Sequence, residues 1–541
     1  MDRCFFKGKK CVLWGLKRHI YEFAYLFDCL DYYGYIAVDE NGQYNVSLKE
    51  LTMEDVRSCD KKDLLLVICD FCLKKYEVVL QEYGLEKMKR VLFEDCFELL
   101  DPFNASVLAC RKIAVWGTGD TEKNLREAWK SNHYDINVDL YIDGNAKKPV
   151  SHQGRPVSTF SELEDVKGYF IIVASIFYRE IKMQLDESGL REGLDYLPFS
   201  AFMSKPSAMF RELVHTEERA EFYCNRPYTW LYYAWFGAYP CCSTWVKYPI
   251  GNPAAETPEE CWNSVTAKLY RLSVDTRTYC FCKKEACGIM GNLVSQDTEL
   301  PIYNKVPKNM VLGLDDTCNL HCASCREHVQ VTTGKHLEIR ERFAEDVIAS
   351  GWLEEADELE LSGSGEALFS KIDRRILFSN ETCKRNSISL LSNGILLTED
   401  NLNDLKKHFE RIALKISIDA ATEKTYQKLR RGGNWEVLLK NLKLISELRQ
   451  RNEISYVEIK MVVQKSNYRE MVDFVRMGKE YCVDRVVFTK LLNWDMYSEE
   501  QYLEEAMLNR DGSLRAELLQ MLQKEEMRDE AVRILEFSPY L

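Results

Sequence analysis

The stretch Met310-Val311-Leu312-Gly313-Leu314-Asp315-Asp316-Thr317-Cys318-Asn319-Leu320-His321-Cys322-Ala323-Ser324-Cys325 decides how the chain is read. Its first half is an apolar run of strand length. Its second half is a loop with the spacing Cys-x3-Cys-x2-Cys. Three thiolates on one short loop can take three corners of an iron–sulfur cubane, because soft sulfur ligands suit such clusters. The fourth iron is then left without a protein ligand and can hold a substrate or cofactor. The competing reading is a zinc loop completed by His321 or His328.

Outward from this loop, strands and amphipathic stretches alternate between residues 305 and 495. The strands read 310–315, 358–362, 387–391, 413–419, 457–463 and 485–488, and the stretches between them include 340–350, 401–409, 435–448 and 468–480. Apolar strands separated by helices predict a parallel α/β sheet. Six such units predict a partial (βα)6 TIM-like barrel over 301–495, with its site at the C-terminal strand ends. The charged, helical stretch 496–541 reads as a cap.

The cysteine loop resembles that of the radical S-adenosylmethionine (SAM) superfamily, and further landmarks follow in order. Leu361-Ser362-Gly363-Ser364-Gly365-Glu366 ends the second strand, and the resemblance implies contact of Gly363, Gly365 and Glu366 with the methionine amino group of SAM. Glycines allow close backbone approach, and a carboxylate pairs with an ammonium. Asn393-Gly394 ends the third strand and Ser417-Ile418-Asp419-Ala420 the fourth. The resemblance implies that Ser417 meets the SAM ribose or carboxylate, Arg430 the carboxylate, and Val462 the adenine. Ser324 departs from the family's frequent aromatic residue, and Ala367 from its frequent proline. The implied chemistry has Cys318, Cys322 and Cys325 hold a [4Fe-4S] cluster that cleaves SAM to a 5′-deoxyadenosyl radical. That radical takes a hydrogen atom from an unactivated carbon, in an oxidation or an epimerisation. A flavodoxin or ferredoxin is the implied electron donor.

A second cysteine set precedes the barrel. Cys224-x12-Gly237-x4-Cys242, with its aromatic flanks, resembles the opening of SPASM and twitch auxiliary-cluster domains, and Cys282-x4-Cys287 would close the site. Cys224, Cys242, Cys282 and Cys287 are the expected ligands of one auxiliary iron–sulfur cluster, with Cys241 and Cys280 as rivals for two places. Zinc is the alternative occupant. In many relatives this module follows the barrel; here 206–300 stands before it.

The first two hundred residues repeat. Lys10-Cys11-Val12-Leu13-Trp14-Gly15 and Lys112-Ile113-Ala114-Val115-Trp116-Gly117 open two units, 1–105 and 106–205. Each unit continues through a strand ending at Asp39 or Asp143 and a third apolar strand. Both read as small Rossmann-like α/β units. Gly117-Thr118-Gly119 is a degenerate dinucleotide fingerprint, because Glu122 stands at the third glycine. A scaffold or docking role is the favoured reading.

Composition bounds the rest. The chain has 541 residues, 46% hydrophobic and 29% charged, which excludes a disordered or fibrous protein. A net charge of -13 argues against nucleic acid and anionic membranes as partners. The N-terminus lacks a signal-peptide pattern, so the expected location is cytoplasmic, where disulfides are rare and grouped thiols read as metal sites. Of 20 cysteines, most of those outside the two sets read as small core hydrophobes, and Cys69-x2-Cys72 reads as structural and not as a redox pair. The expected substrate is a sugar, nucleotide-sugar or other small metabolite. A ribosomally made peptide is the alternative, and a metal-stabilised docking protein without activity is the second.

Overall fold

The computed structural model describes residues 3–39, 44–102, 111–144, 151–287, 302–361, 365–379, 384–494, 496–534 and 537. Among these residues the chain is mixed α/β with three sheets, and it divides into two compact units. The first comprises Met1–Pro227, Ser243–Lys284 and Ser295–Pro301; the second comprises Tyr228–Cys242, Glu285–Val294 and Ile302–Leu541.

In the first unit, strands β1 (Lys10–Gly15), β2 (Tyr32–Ala37), β3 (Leu64–Cys69) and β4 (Arg90–Leu92) form an all-parallel sheet ordered β2-β1-β3-β4. The second sheet contains β5 (Lys112–Trp116), β6 (Leu140–Ile142), β7 (Ser151–His152), β8 (Arg155–Ser158), β9 (Tyr169–Val173) and β10 (Tyr196–Pro198). Its order is β10-β9-β5-β6-β8-β7. Read from β6 to β10, this is the same order as the first sheet, with a β7–β8 hairpin added at one edge. The sequence repeat is therefore a repeat of topology. Strands β3 and β9 are buried almost throughout, which is why they read as continuous apolar runs and not as alternating ones.

The Trp-Gly signature shared by the two repeats has a packing cause. A methyl group at Gly15 would stand 2.2 Å from the carbonyl oxygen of Cys69, and one at Gly117 would stand 2.2 Å from that of Ala174. In both repeats the end of the first strand touches the end of the third, and no side chain fits between them.

The second unit carries one nine-stranded sheet. Its strands are β11 (Trp230–Ala234), β12 (Gly237–Tyr239), β13 (Asn309–Gly313), β14 (Glu358–Leu361), β15 (Arg385–Ser392), β16 (Phe409–Ser417), β17 (Tyr456–Val463), β18 (Arg485–Lys490) and β19 (Val532–Ile534). They lie as β12-β11-β13-β14-β15-β16-β17-β18-β19, and every neighbouring pair except β11–β12 is parallel. The six strands expected from the sequence are present in consecutive order. Two more parallel strands join them from outside 301–495, one at each end. Strand β11 comes from the aromatic, cysteine-rich stretch and β19 from the charged C-terminal stretch. Both are short and were hidden in segments whose composition suggested other roles.

Parallel neighbours require crossover connections, and helices supply them here. The longest are Gly334–Ala349 and Trp435–Gln450. Asn434 caps the second by accepting from the Val437 amide at 3.0 Å. Among the described residues no helix is long and apolar enough to cross a membrane. No disulfide forms among them. Cys11, Cys69, Cys96 and Cys261 are buried, and burial pushes the thiols of Cys11 and Cys96 up to about 12. They are core side chains, not reactive ones.

Candidate active site

Strand β13 stops at Gly313, and the chain enters the cysteine loop through Asp315 and Asp316. Asp315 is buried, and its Oδ1 accepts from Thr332 Oγ1 at 2.6 Å and Arg340 Nη1 at 2.8 Å, while Oδ2 accepts from Ser370 Oγ at 2.7 Å. Arg340 also bonds Asp316 Oδ1 and lies over the Trp235 ring at 4.8 Å. The entry to the loop is thus clamped before the first thiol.

Each loop thiol has a donor aimed at its sulfur. The Leu320 amide points at Cys318 Sγ (3.5 Å), Arg430 Nη1 at Cys322 Sγ (3.6 Å) and Arg326 Nε at Cys325 Sγ (3.5 Å). Burial raises the thiol pKa of Cys318 and Cys322, and the Leu320 amide and Arg430 respectively oppose that shift. The loop backbone pairs with the 429–431 segment, with Ala323 N on Leu429 O at 2.9 Å and His321 N on Arg431 O at 3.1 Å. Three buried polar atoms around the loop have no partner among the described residues: His321 Nδ1, Tyr426 OH and Arg430 Nε. Among the described residues no three His, Cys, Asp or Glu side chains converge as a ready-made ion site. The chemistry of the donor set nonetheless suits a thiolate-ligated cluster, with N–H groups on the sulfurs and unmet polar atoms beside them.

After β14, Gly365 comes directly against this loop. A methyl group at Gly365 would lie 2.7 Å from Thr317 O and 3.0 Å from Asp315 O. The Glu366 amide donates to Thr317 O at 2.9 Å. The Glu366 side chain is 1% exposed; its Oε1 accepts from Ser392 Oγ at 2.8 Å and its Oε2 from the Asn393 amide at 2.7 Å. Burial pushes its carboxyl up to about 7 against the pull of these donors. Asn393 in turn donates from Nδ2 to Asn319 Oδ1 at 2.8 Å. Glu366 therefore ties together the ends of β13, β14 and β15. Residues 362–364, and with them Gly363, lie outside the described residues.

Of the other expected SAM contacts, Arg430 stands beside Cys322, and its Nη2 pairs with Asp419 Oδ2 at 2.8 Å. Val462 donates its amide to Asp419 Oδ1 at 2.8 Å. Ser417 is the last residue of β16, two positions before Asp419. Asp419 is the residue that sequence reasoning passed over. It is 4% exposed and has φ +62°, a conformation side chains other than glycine rarely adopt. Its signal in the sequence was only an acid shortly past a strand end, which elsewhere in this chain marks a plain turn.

The second cysteine set is distributed differently. In the first unit, Cys224 N donates to Tyr279 OH at 2.9 Å and Cys282 N donates to Tyr279 O at 3.0 Å, so Tyr279 holds both segments. Cys242 and Cys287 belong to the second unit. The rivals Cys241 and Cys280 are buried at 8% and 9% exposure, whereas Cys224, Cys242, Cys282 and Cys287 are partly accessible. Burial pushes the Cys280 thiol up to about 12.

Residues 315–478 match the family described as the Radical SAM superfamily, and the chain carries a radical SAM domain there. Members of that family use a [4Fe-4S] cluster and SAM. No curated protein matches. Among solved structures the chain is similar to Streptococcus suis SuiB bound to S-adenosylmethionine, at 16% identity over 42% of this chain and 50% of that one, with a TM-score of 0.30. It is similar to SuiB bound to precursor peptide SuiA at 15% identity over 53% and 57%, with a TM-score of 0.32. Native anSMEcpe with bound AdoMet and Cp18Cys peptide matches at 18% identity over 36% and 54%, with a TM-score of 0.26. The chain spans about half the length of each of these.

Proposed function

We propose that the chain is a radical SAM enzyme whose cluster is held by Cys318, Cys322 and Cys325, with Glu366 as the partner of the SAM ammonium. The observation that carries this is the junction of the three strand ends. Thr317, Glu366 and Asn393 are hydrogen-bonded into one layer beside the thiol loop. The bound cluster would supply the electron that cleaves SAM to methionine and a 5′-deoxyadenosyl radical. The residues' own part is to orient and to exclude water. Glu366 offers a buried carboxyl that an arriving ammonium would ionise. Gly365 leaves room for backbone approach, and Ser417, Arg430 and Val462 stand at the ends of the next strands as the remaining contacts. The consecutive parallel order of the second unit's strands supports a partial-barrel reading.

Cys224, Cys242, Cys282 and Cys287 are the proposed ligands of one auxiliary cluster, supported by their greater accessibility than Cys241 and Cys280. The two N-terminal units serve as a Rossmann-like scaffold, and the enzyme works in the cytoplasm with a flavodoxin- or ferredoxin-type donor. The carbohydrate or small-metabolite substrate finds no support in the comparisons. A ribosomally made peptide fits them at least as well, and the reaction on either would be an oxidation or an epimerisation.

The test is anaerobic iron–sulfur reconstitution followed by SAM and dithionite. Formation of 5′-deoxyadenosine is the expected result. If none forms while iron and sulfide are fully loaded, the enzyme reading falls.

A further inference from the structure

We infer that Arg430 and Asp419 act as a fixed charge pair that tunes the reduction potential of the cluster on Cys318, Cys322 and Cys325. Arg430 supplies the positive charge at Cys322, and Asp419 holds and partly offsets it. The inference rests on the proposed cluster site.

The geometry is specific to Cys322. Arg430 Nη1 stands 3.6 Å from Cys322 Sγ, and Nη2 stands 2.8 Å from Asp419 Oδ2, with side-chain exposures of 12% and 6% for the ion pair. The guanidinium therefore bridges one sulfur and one carboxylate out of water. Both ends of the bridge are anchored. On the sulfur side, the loop and the arginine's own segment are joined by Ala323 N–Leu429 O and His321 N–Arg431 O. On the carboxylate side, the Val462 amide bonds Asp419 Oδ1 at 2.8 Å and Asn467 Nδ2 bonds Asp419 O at 2.9 Å. These bonds hold Asp419 at φ +62°, a conformation that costs on the order of 1 kcal/mol and persists only where surroundings enforce it.

The other two sulfurs lack this arrangement. Cys318 is bonded by a backbone amide and feels the Arg326 charge without a bond, and Cys325 meets Arg326 Nε and Nη2 at 3.5 Å on an exposed edge where water and salt screen the charge. A cation held beside one thiolate in a low-dielectric setting stabilises the more negative, reduced cluster. Removing it should make the cluster harder to reduce, and removing its carboxylate partner should do the reverse. A merely structural pair would not give opposite signs.

The experiment is redox titration of the full-length reconstituted protein, following by EPR the reduced-cluster signal that changes when SAM is added. R430Q should fall at least tenfold in reduced-to-oxidised ratio at a fixed potential, a shift of about 59 mV for a one-electron couple. R430K should recover most of that loss, and D419N should shift to higher potential. An R430Q protein with wild-type iron and wild-type potential overturns the inference, as do shifts of R430Q and D419N in the same direction. If R430Q fails to hold iron, R430K and D419N decide, and an unchanged or lowered potential in D419N overturns it. Absence of a SAM-responsive signal in the wild-type protein would instead sink the proposed cluster site itself.

Discussion

Two glycine-rich strand ends in this chain each carry a buried glutamate, and they behave differently. Glu366 follows Gly365 in the second unit, and Glu122 follows Gly117 and Gly119 in the first; both are 1% exposed. Glu122 is already matched. It accepts from Arg126 Nε at 2.6 Å and Tyr141 OH at 3.0 Å, and it faces His152 Nε2 at 3.0 Å. Glu366 is hydrogen-bonded by neutral donors, Ser392 Oγ and the Asn393 and Leu368 amides, and the Arg430 charge acts on it while that guanidinium is paired with Asp419. A buried carboxyl without a bonded cation is costly to ionise, and a cationic ligand would relieve that cost. A carboxylate with its cation built in is a piece of structure. The same motif grammar thus stands in two settings, a proposed ligand site in one place and a strut in the other, and the partner residues decide which.

The largest expected effect tests the setting of Glu366. Replacing Cys318, Cys322 and Cys325 together by Ala should reduce 5′-deoxyadenosine formation to background while leaving the auxiliary iron in place. Iron content equal to wild type would show that the loop holds no cluster.

The glutamates themselves come next. E366Q should weaken SAM binding about tenfold, the scale of one lost charge-assisted hydrogen bond, as read by calorimetry on the reconstituted protein. E122A should leave SAM affinity unchanged and cost on the order of 1 kcal/mol in unfolding free energy, because it strips the shared acceptor from Tyr141, His152 and a partly exposed Arg126. A change of SAM affinity in E122A would break the distinction.

The pH dependence of the unloaded protein is the third test. Burial raises the Glu366 carboxyl from an ordinary 4.5 to about 7, so the native state binds its proton more tightly than the unfolded chain does. Its contribution to stability is then fully present below about 4.5 and is lost as pH rises to about 7. Denaturant unfolding across that window should show a flatter profile for E366Q than for wild type. Glu22 and Glu256, also raised to about 7 by burial, remain in both proteins and cancel in the comparison.

How much of this was legible beforehand follows from distance along the chain. The thiol loop could be read because its ligands fall within eight residues of one another. The six central strands could be read because each is an apolar or alternating run, Glu358–Leu361 being of the second kind, and helical stretches separate them. Strands β11 and β19 could not, since a strand of three to five residues at or next to a sheet edge is fixed by the neighbours it pairs with. Asp419 was equally hidden. Its role depends on a left-handed backbone turn and on Arg430 arriving from the far end of the Glu423–Leu429 helix, and spacing encodes neither. Arg430 was noticed as a contact for SAM, while its ion pair with Asp419 was not.

The smallest expected effects separate the glycines. G365A should damage the thiol loop, because its methyl group would press on the Thr317 carbonyl at 2.7 Å. Reconstituted iron should fall while the fold persists. G119A should do almost nothing, since a methyl group there meets no atom within 4 Å and the residue has φ -96°. Its stability change should stay within about 0.5 kcal/mol, the range of a surface substitution. Gly119 is the central glycine of the degenerate fingerprint, where a bound pyrophosphate would require bare backbone. If wild-type protein bound a dinucleotide and G119A did not, the N-terminal turn would rank with the Glu366 turn as a ligand site. If G119A is silent in both stability and binding, the glycine is incidental, and Glu122 with its arginine, tyrosine and histidine is what that turn is built around.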